Sequence, residues 1–273
     1  MSNVFNIKRA ANYFVHDLRA AKNNYLLQMV IFGCMPAIVY VFSQLFSMLF
    51  NGQGAHLDDG SVQIVTFIIS IVCVIITFPV KQYGSLTEKR YGSDWLMLPA
   101  STFEKWLSMI LVTCVALPAV FAVLFLGSDA LLATIFPKLY PSAILSKDFL
   151  DFLTGLEAGL TDDLNIKIKA TDISYINWCE NILAFTLGAV IFKKAKFPKT
   201  MLAMMGVGIF VTMITMLCIG GTRMDGEELM NRFGDLSPQE IARKLNFFAS
   251  ALYTIVFVLL GGGLYLRLKT LKH

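Results

Sequence analysis

Six apolar stretches of this chain run on without a single Lys or Arg: residues 25–50, 62–80, 106–127, 176–192, 201–219 and 247–266. A hydrocarbon core of about 30 Å takes about 20 residues of helix to cross. The pattern therefore predicts an all-α polytopic membrane protein with six transmembrane helices. The fourth run is the shortest and carries Glu180 and Asn181 near its start, so it tilts little, thins the bilayer locally, or uses Trp178 as an interface anchor. Composition agrees: 56% of residues are hydrophobic and 15% charged, where a soluble domain has about 45–50% and about 25%. With 22 Phe and so few charges the chain is not disordered. A net charge of +4 over 273 residues is too thin for a nucleic-acid face, so no nucleic-acid partner is expected.

Basic residues between the runs set the orientation. The head (Lys8, Arg9, Arg19, Lys22), the second connection (Lys81, Lys89, Arg90, Lys105), the fourth connection (Lys193, Lys194, Lys196, Lys199) and the tail (Arg267, Lys269, Lys272) hold fifteen of the 23. The other connections hold eight, in longer and acid-rich loops. By the positive-inside rule both termini and the even-numbered connections are cytoplasmic, as in a multi-pass protein of the plasma (bacterial inner) membrane. The first run begins only at Tyr25 and is too long for a signal-peptide core, so it is expected to act as an uncleaved anchor. Pro36 and Pro118 fall within runs and predict kinks.

The chain divides into a head, 1–24, and one six-helix domain, 25–273, with an extracytoplasmic loop at 128–175. In the head, Ile7, Ala11, Phe14, Leu18 and Ala21 share a helical stripe opposite Lys8, Asn12, His16, Arg19 and Asn23, the pattern of an amphipathic helix in the cytoplasmic interface that enters the first span at an angle. A plain soluble head helix fits the same stripe. In the second connection, Ser85 and Glu88 have capping-box spacing, Lys89, Arg90 and Tyr91 continue a turn, and Gly92 ends it. This short helix is either a docking knob for a cytoplasmic partner or an interfacial turn anchored by Trp95. A second capping box, Ser101 to Glu104, opens the third span.

Outside, residues 130–145 form an apolar piece broken by Pro137 and Pro141, read as interfacial or re-entrant, and 146–175 form a small cap. Residues 226–233 read as a short helix. Ser237, Pro238 and Glu240 start a second short helix leading into the sixth span.

The three histidines, His16, His56 and His273, all lie outside the runs, and no Walker loop occurs, so no metal site, cofactor or self-contained ATPase is expected and the chain is not read as an enzyme. An intramembrane aspartyl site needs aspartates in the runs, and the runs hold none. Glu180, with Asn181, is the one acidic position drawn into a span: a solvated or Asn181-bonded interface residue, or a substrate or proton site. Five isolated cysteines without a CxxC pair read as small buried hydrophobes. Met201, Met204, Met205, Met213 and Met216, with Ala203, Gly206 and Gly208, read as close packing or as an adaptable substrate path. Gly261, Gly262 and Gly263 mark close packing or a flexible point.

The layout of head helix, six spans and capped helix between spans two and three resembles the ABC-2 type permeases. The string from Asp94 to Ser108, DWLMLPASTFEKWLS, is similar to the LMLPAS-x-x-EK segment of the small ABC-2-like permeases of Bacteroidetes, as is the start, with Lys8, Asp17 and Asn24-Tyr25-Leu26-Leu27. The resemblance implies a separately encoded cytoplasmic ABC ATPase as partner, a homodimer or heterodimer of permeases, and Ser85, Glu88, Lys89, Arg90 and Tyr91 as its coupling helix. The other class compatible with the residues is a non-transporting membrane protein that binds or regulates through its acidic outer loops.

Overall fold

The computed structural model describes residues 5–51, 61–87, 97–140, 143–144, 170–220 and 238–270, and every regular element among them is helical. Two helical stretches, Ser61–Thr87 and Thr102–Ile135, are long and apolar enough to cross a membrane, and a third joins them if the bent pair Ile7–Gly33 and Met35–Phe50 is one span.

Helix α1 (Ile7–Gly33) starts at Asn6, whose side chain accepts hydrogen bonds from the Lys8 and Arg9 amides. It does not stop or turn where the head was expected to meet the first span. Nothing between Ile7 and Phe32 breaks a helix, so head and apolar run form one element. The angle, 48°, comes later, at Cys34 before α2 (Met35–Asn51). Its cause is Pro36, which lacks an N–H and whose ring excludes the carbonyl four residues back.

Helix α3 (Ser61–Tyr83) runs into a 3₁₀ turn, Gly84–Thr87. Helix α4 (Thr102–Leu111) opens on the expected capping box: Ser101 Oγ accepts from the Glu104 amide while the Glu104 carboxylate accepts from the Ser101 amide. A π-helical segment, Val112–Ala116, then leads into α5 (Leu117–Ile135). Pro118 follows at once, and one extra residue in the turn relieves the clash its ring would make with the preceding turn. The third apolar run does not end at Gly127. The helix continues to Ile135, where Pro137 prevents further propagation, so the first part of the 130–145 piece belongs to α5 and Asp129 lies inside it.

Helices α6 (Ala170–Ile191), α7 (Lys196–Gly220) and α8 (Pro238–Thr270) complete the described chain. Pro238 stands at the first helical position, but the separate short helix expected before the sixth span is absent: α8 is continuous for 33 residues, through Gly261 to Gly263. A Cβ at Gly261 or Gly263 would make ordinary contact, 3.8 Å from Trp106 and 3.6 Å from Leu187, and one at Gly262 would meet nothing within 4 Å, so space does not demand glycine at any of the three.

The core is built from α1, α3, α4, α5, α6 and α8 around Tyr25, Phe78, Met109, Phe125, Leu183 and Leu264. Phe42, Phe46 and Leu49 on α2 and Leu202, Phe210 and Met213 on α7 are exposed. Among the described residues the close-packing reading of α7 holds only in part: Met204 packs against the core, while methyls at Gly206 or Gly208 would meet nothing within 4 Å. The tight approach lies at Gly188 on α6, whose added Cβ would stand 2.8 Å from Thr200 Cβ on α7. Cys114 and Cys179 are buried, Cys34 and Cys73 half-buried, and all four are free thiols.

Candidate functional site

The candidate coupling segment begins at Ser85, half-buried in the 3₁₀ turn between buried Gly84 and buried Leu86. Lys196, at the start of α7, donates its ammonium to the Gly84 carbonyl, and Thr87 Oγ1 donates to the same oxygen at 3.0 Å. The end of α3 is thereby fastened to α7. Glu88, Lys89, Arg90 and Tyr91 lie outside the described residues, as do residues 146–169 of the outer loop and the 226–233 segment.

Where the chain returns, Glu104 does more than cap its own helix. Its Oε2 accepts from the Ser101 amide at 2.8 Å and from Arg9 Nε at 2.7 Å; its Oε1 accepts from Arg9 Nη2 at 2.7 Å and from the Asn6 amide at 2.9 Å. One carboxylate thus joins the N-terminal ends of α1 and α4. Glu104 precedes the apolar run that begins at Trp106, and the paired Arg9 guanidinium holds its carboxyl down to about 2, with the two amides acting in the same direction against burial.

Two turns along α1, Asp17 is buried. Its Oδ2 accepts from Ser108 Oγ on α4 at 2.9 Å and from Tyr83 OH on α3 at 3.1 Å, and its Oδ1 accepts from Gln82 Nε2 at 3.2 Å. Burial lifts this carboxyl above the ordinary carboxylate range, although all three donors favour the ionised form. Gln82 also accepts from Asn24 Nδ2 at 3.2 Å. A head residue that entered the sequence reading only through the family resemblance is therefore the centre of a polar knot among three helices.

At the other end of the bundle, Asp129 is 1% exposed. Its Oδ1 accepts from Gln63 Nε2 at 3.0 Å and Tyr140 OH at 2.7 Å, and its Oδ2 from the Ile144 amide at 2.7 Å. It clamps the segment after α5 onto α3. The expectation that the apolar helices hold no aspartate is thus corrected. Taking Gly127 as a boundary hid it, although apolar residues resume at Ala130.

Glu180 is half-buried on α6, and its Oε2 has no hydrogen-bond partner among the described residues; Asn181 is half-buried beside it in sequence. Among the described residues no group of three His, Cys, Asp or Glu could hold a metal ion. Compared with protein-family models, curated proteins and solved structures, the chain matches none.

Proposed function

We propose that the chain is the permease subunit of an ABC-type transporter, a six-span protein of the bacterial inner (plasma) membrane with both termini in the cytoplasm. A separately encoded ATPase drives it through the connection between α3 and α4. The head segment, with Lys8, Arg9, Arg19 and Lys22, lies at the cytoplasmic interface of an anionic leaflet.

The observation that carries this reading is how the connection is tied at both of its ends. On one side Lys196 holds the 3₁₀ turn to α7. On the other, Glu104 holds the start of α4 to Arg9 and Asn6 of α1. A displacement of residues 88–96 is transmitted into α3 and α7 at one end and into α4 and α1 at the other. A loose loop would absorb the same push. Asp17 stiffens the linkage one level deeper, because α1, α3 and α4 all meet at its carboxyl. The exposed apolar face of α7, open at Gly206 and Gly208, supports pairing with a second permease copy.

The test is co-purification with an ABC ATPase from the same cells, followed by Arg90→Glu with Tyr91→Ala. Loss of the ATPase and of nucleotide-driven transport in the double variant is expected. If no ATPase travels with the wild type and the double variant keeps full function, the transport reading falls. Loss of function on deleting 146–175 alone then favours a binding or regulatory protein acting through its outer loop.

A further inference from the structure

On the polar stripe of the head the exposed residues Lys8, Asn12 and His16, at i, i+4 and i+8 and so spread over about 12 Å of helix, line an open groove of about 440 Å³ together with Arg9 and Tyr13. Its opposite wall is residues 98–100, held in a turn by the Ala100 amide donating to the Leu98 carbonyl at 2.8 Å and by the Ser101 cap that follows.

Three features of the groove define its ligand. Among the described residues no acidic side chain lines it, and the nearby Glu104 carboxylate already accepts four hydrogen bonds from Arg9, Asn6 and Ser101. Lys8 supplies a cation to it, and Asn12 and His16 supply N–H groups that can donate. Its volume falls in the range of about 300–1,000 Å³ usual for small-ligand sites. These features select a compact anion that accepts several hydrogen bonds, as a phosphate does. The surroundings add a further requirement. Phe5, Ile7, Met97 and Phe103 are 45%, 75%, 77% and 42% exposed, and the rings of Phe5 and Phe103 stack edge to face at 5.7 Å, leaving an apolar shelf on the same two chain segments that form the groove. A free phosphate has no use for such a shelf, whereas a phosphate carrying acyl chains does.

We propose that this groove binds the phosphate headgroup of an anionic phospholipid, with Lys8 as its counter-charge, Asn12 and His16 as hydrogen-bond donors, and the acyl chains lying against the Phe5–Phe103 shelf. The assignment rests on the proposed interfacial placement of the head and not on transport. The bound lipid fixes the height of α1 at the interface and covers the joint between α1 and α4.

Full-length protein in a neutral detergent, titrated with dioleoylphosphatidylglycerol or dioleoylphosphatidylcholine and read by native mass spectrometry, tests it. Wild type is expected to retain phosphatidylglycerol about fivefold better, the worth of one basic residue at an anionic lipid surface. Lys8→Gln should bring the two lipids to parity, and Lys8→Glu should reverse the preference. Lys138→Gln, an exposed change at the opposite end of the bundle, should leave it intact, and unchanged melting shows that the variants fold. Equal retention of the two lipids by wild type, or an unaltered preference in Lys8→Glu, overturns the proposal. Displacement of the lipid by millimolar glycerol phosphate or inorganic phosphate shows that the site serves a soluble phosphate and overturns the lipid assignment. Loss of a captured protein partner in Lys8→Glu, with lipid preference untouched, makes the groove a protein-docking face and overturns it too.

Discussion

Glu104→Ala isolates the joint between the head helix and the third apolar run. The carboxylate is 1% exposed and accepts from two backbone amides, Asn6 and Ser101, and twice from Arg9. Removing it orphans both amides at the ends of α1 and α4. A hydrogen bond to a charged group contributes about 1.5 kcal/mol or somewhat more, so the two together come to about 3 kcal/mol. The Arg9 guanidinium is 30% exposed and returns to water, so little is added for it. For a chain of this size the loss corresponds to a fall in melting temperature of roughly 5–10 °C in detergent. Glu104→Gln keeps one acceptor oxygen and turns an amide NH2 toward a donor, so about half of that loss is expected. The pH dependence has a definite sign. The folded-state carboxyl titrates at about 2, below its ordinary 4.5, so its contribution is whole above pH 4.5 and is lost as pH falls from there toward 2. The gap between wild type and Glu104→Gln should therefore close over that window. Melting followed by tryptophan fluorescence between pH 3 and 7 measures it. A Glu104→Ala protein that melts within 1 °C of wild type, or a gap that is flat with pH, refutes the joint.

Asp17→Ala leaves Ser108, Tyr83 and Gln82 with buried donors and no acceptor and should cost about 2–4 kcal/mol, whereas Asp17→Asn should cost less because the two hydroxyls can turn and accept. Because burial raises the Asp17 carboxyl above its ordinary value of 3.8, stability tied to its protonated form is whole below that pH and is lost as pH rises through the folded value, so Asp17→Asn should gain on wild type with rising pH in melting curves. Asp129→Ala releases Tyr140 and the Ile144 amide, and trypsin should cut at Lys138 several-fold faster on a gel time course. Gly188→Ala forces a Cβ to 2.8 Å from Thr200 Cβ and should lower stability by about 1–3 kcal/mol; adding Thr200→Ala should restore only part in the same melting assay, because the Thr200 Cβ remains. Trp106→Phe loses the 2.8 Å bond from Nε1 to the Gly261 carbonyl while keeping the ring against Tyr265, and should cost about 1 kcal/mol by thermal melting.

What could be read beforehand was what depends on near neighbours in the chain. The Ser101–Glu104 box spans three residues, Pro238 fixes its own helix start, and the kink belongs to Pro36. What could not be read depends on contacts distant in sequence. Arg9 finds Glu104 across 95 positions, and Ser108 finds Asp17 across 91, and no local pattern announces either. Two errors came from treating a boundary signal as decisive. Gly127 ends nothing, because a helix flanked by Phe121, Phe125 and Leu132 packed into the bundle outweighs one poor helix former. The capping sequence at Pro238 starts a helix but does not stop it, and α8 runs on because no breaker stands between Pro238 and Gly261. The Met-rich α7 was read by composition, which cannot say whether the covering surface belongs to the same chain.

The head helix packs on a wider surface than its amphipathic stripe. Phe14, Leu18 and Ala21 of the stripe pack against the core, while Ile7 is 75% exposed. A neighbouring row, Arg9, Tyr13, Asp17, Ala21, Tyr25, Met29 and Gly33, is also buried or half-buried. The polar side chains Lys8, Asn12, His16, Arg19, Lys22 and Asn23 stay exposed, and Asp17 turns inward where Ser108, Tyr83 and Gln82 meet it. The row also steps by four residues, and at 3.6 residues per turn each step rotates it by about 40°. The seam must therefore wind around α1 and cannot stay on a single partner. Arg9 reaches the start of α4, Asp17 joins α4 to α3, Tyr25 hydrogen-bonds Thr77 on α3, and the Gly33 carbonyl accepts from Ser128 on α5 at 2.8 Å. A rotation or shift of α1 consequently cannot be confined to one contact. It strains the α4 cap, the Asp17 knot and the Gly33 crossing together, which makes this helix the element through which a displacement at one end of the bundle is felt at the other.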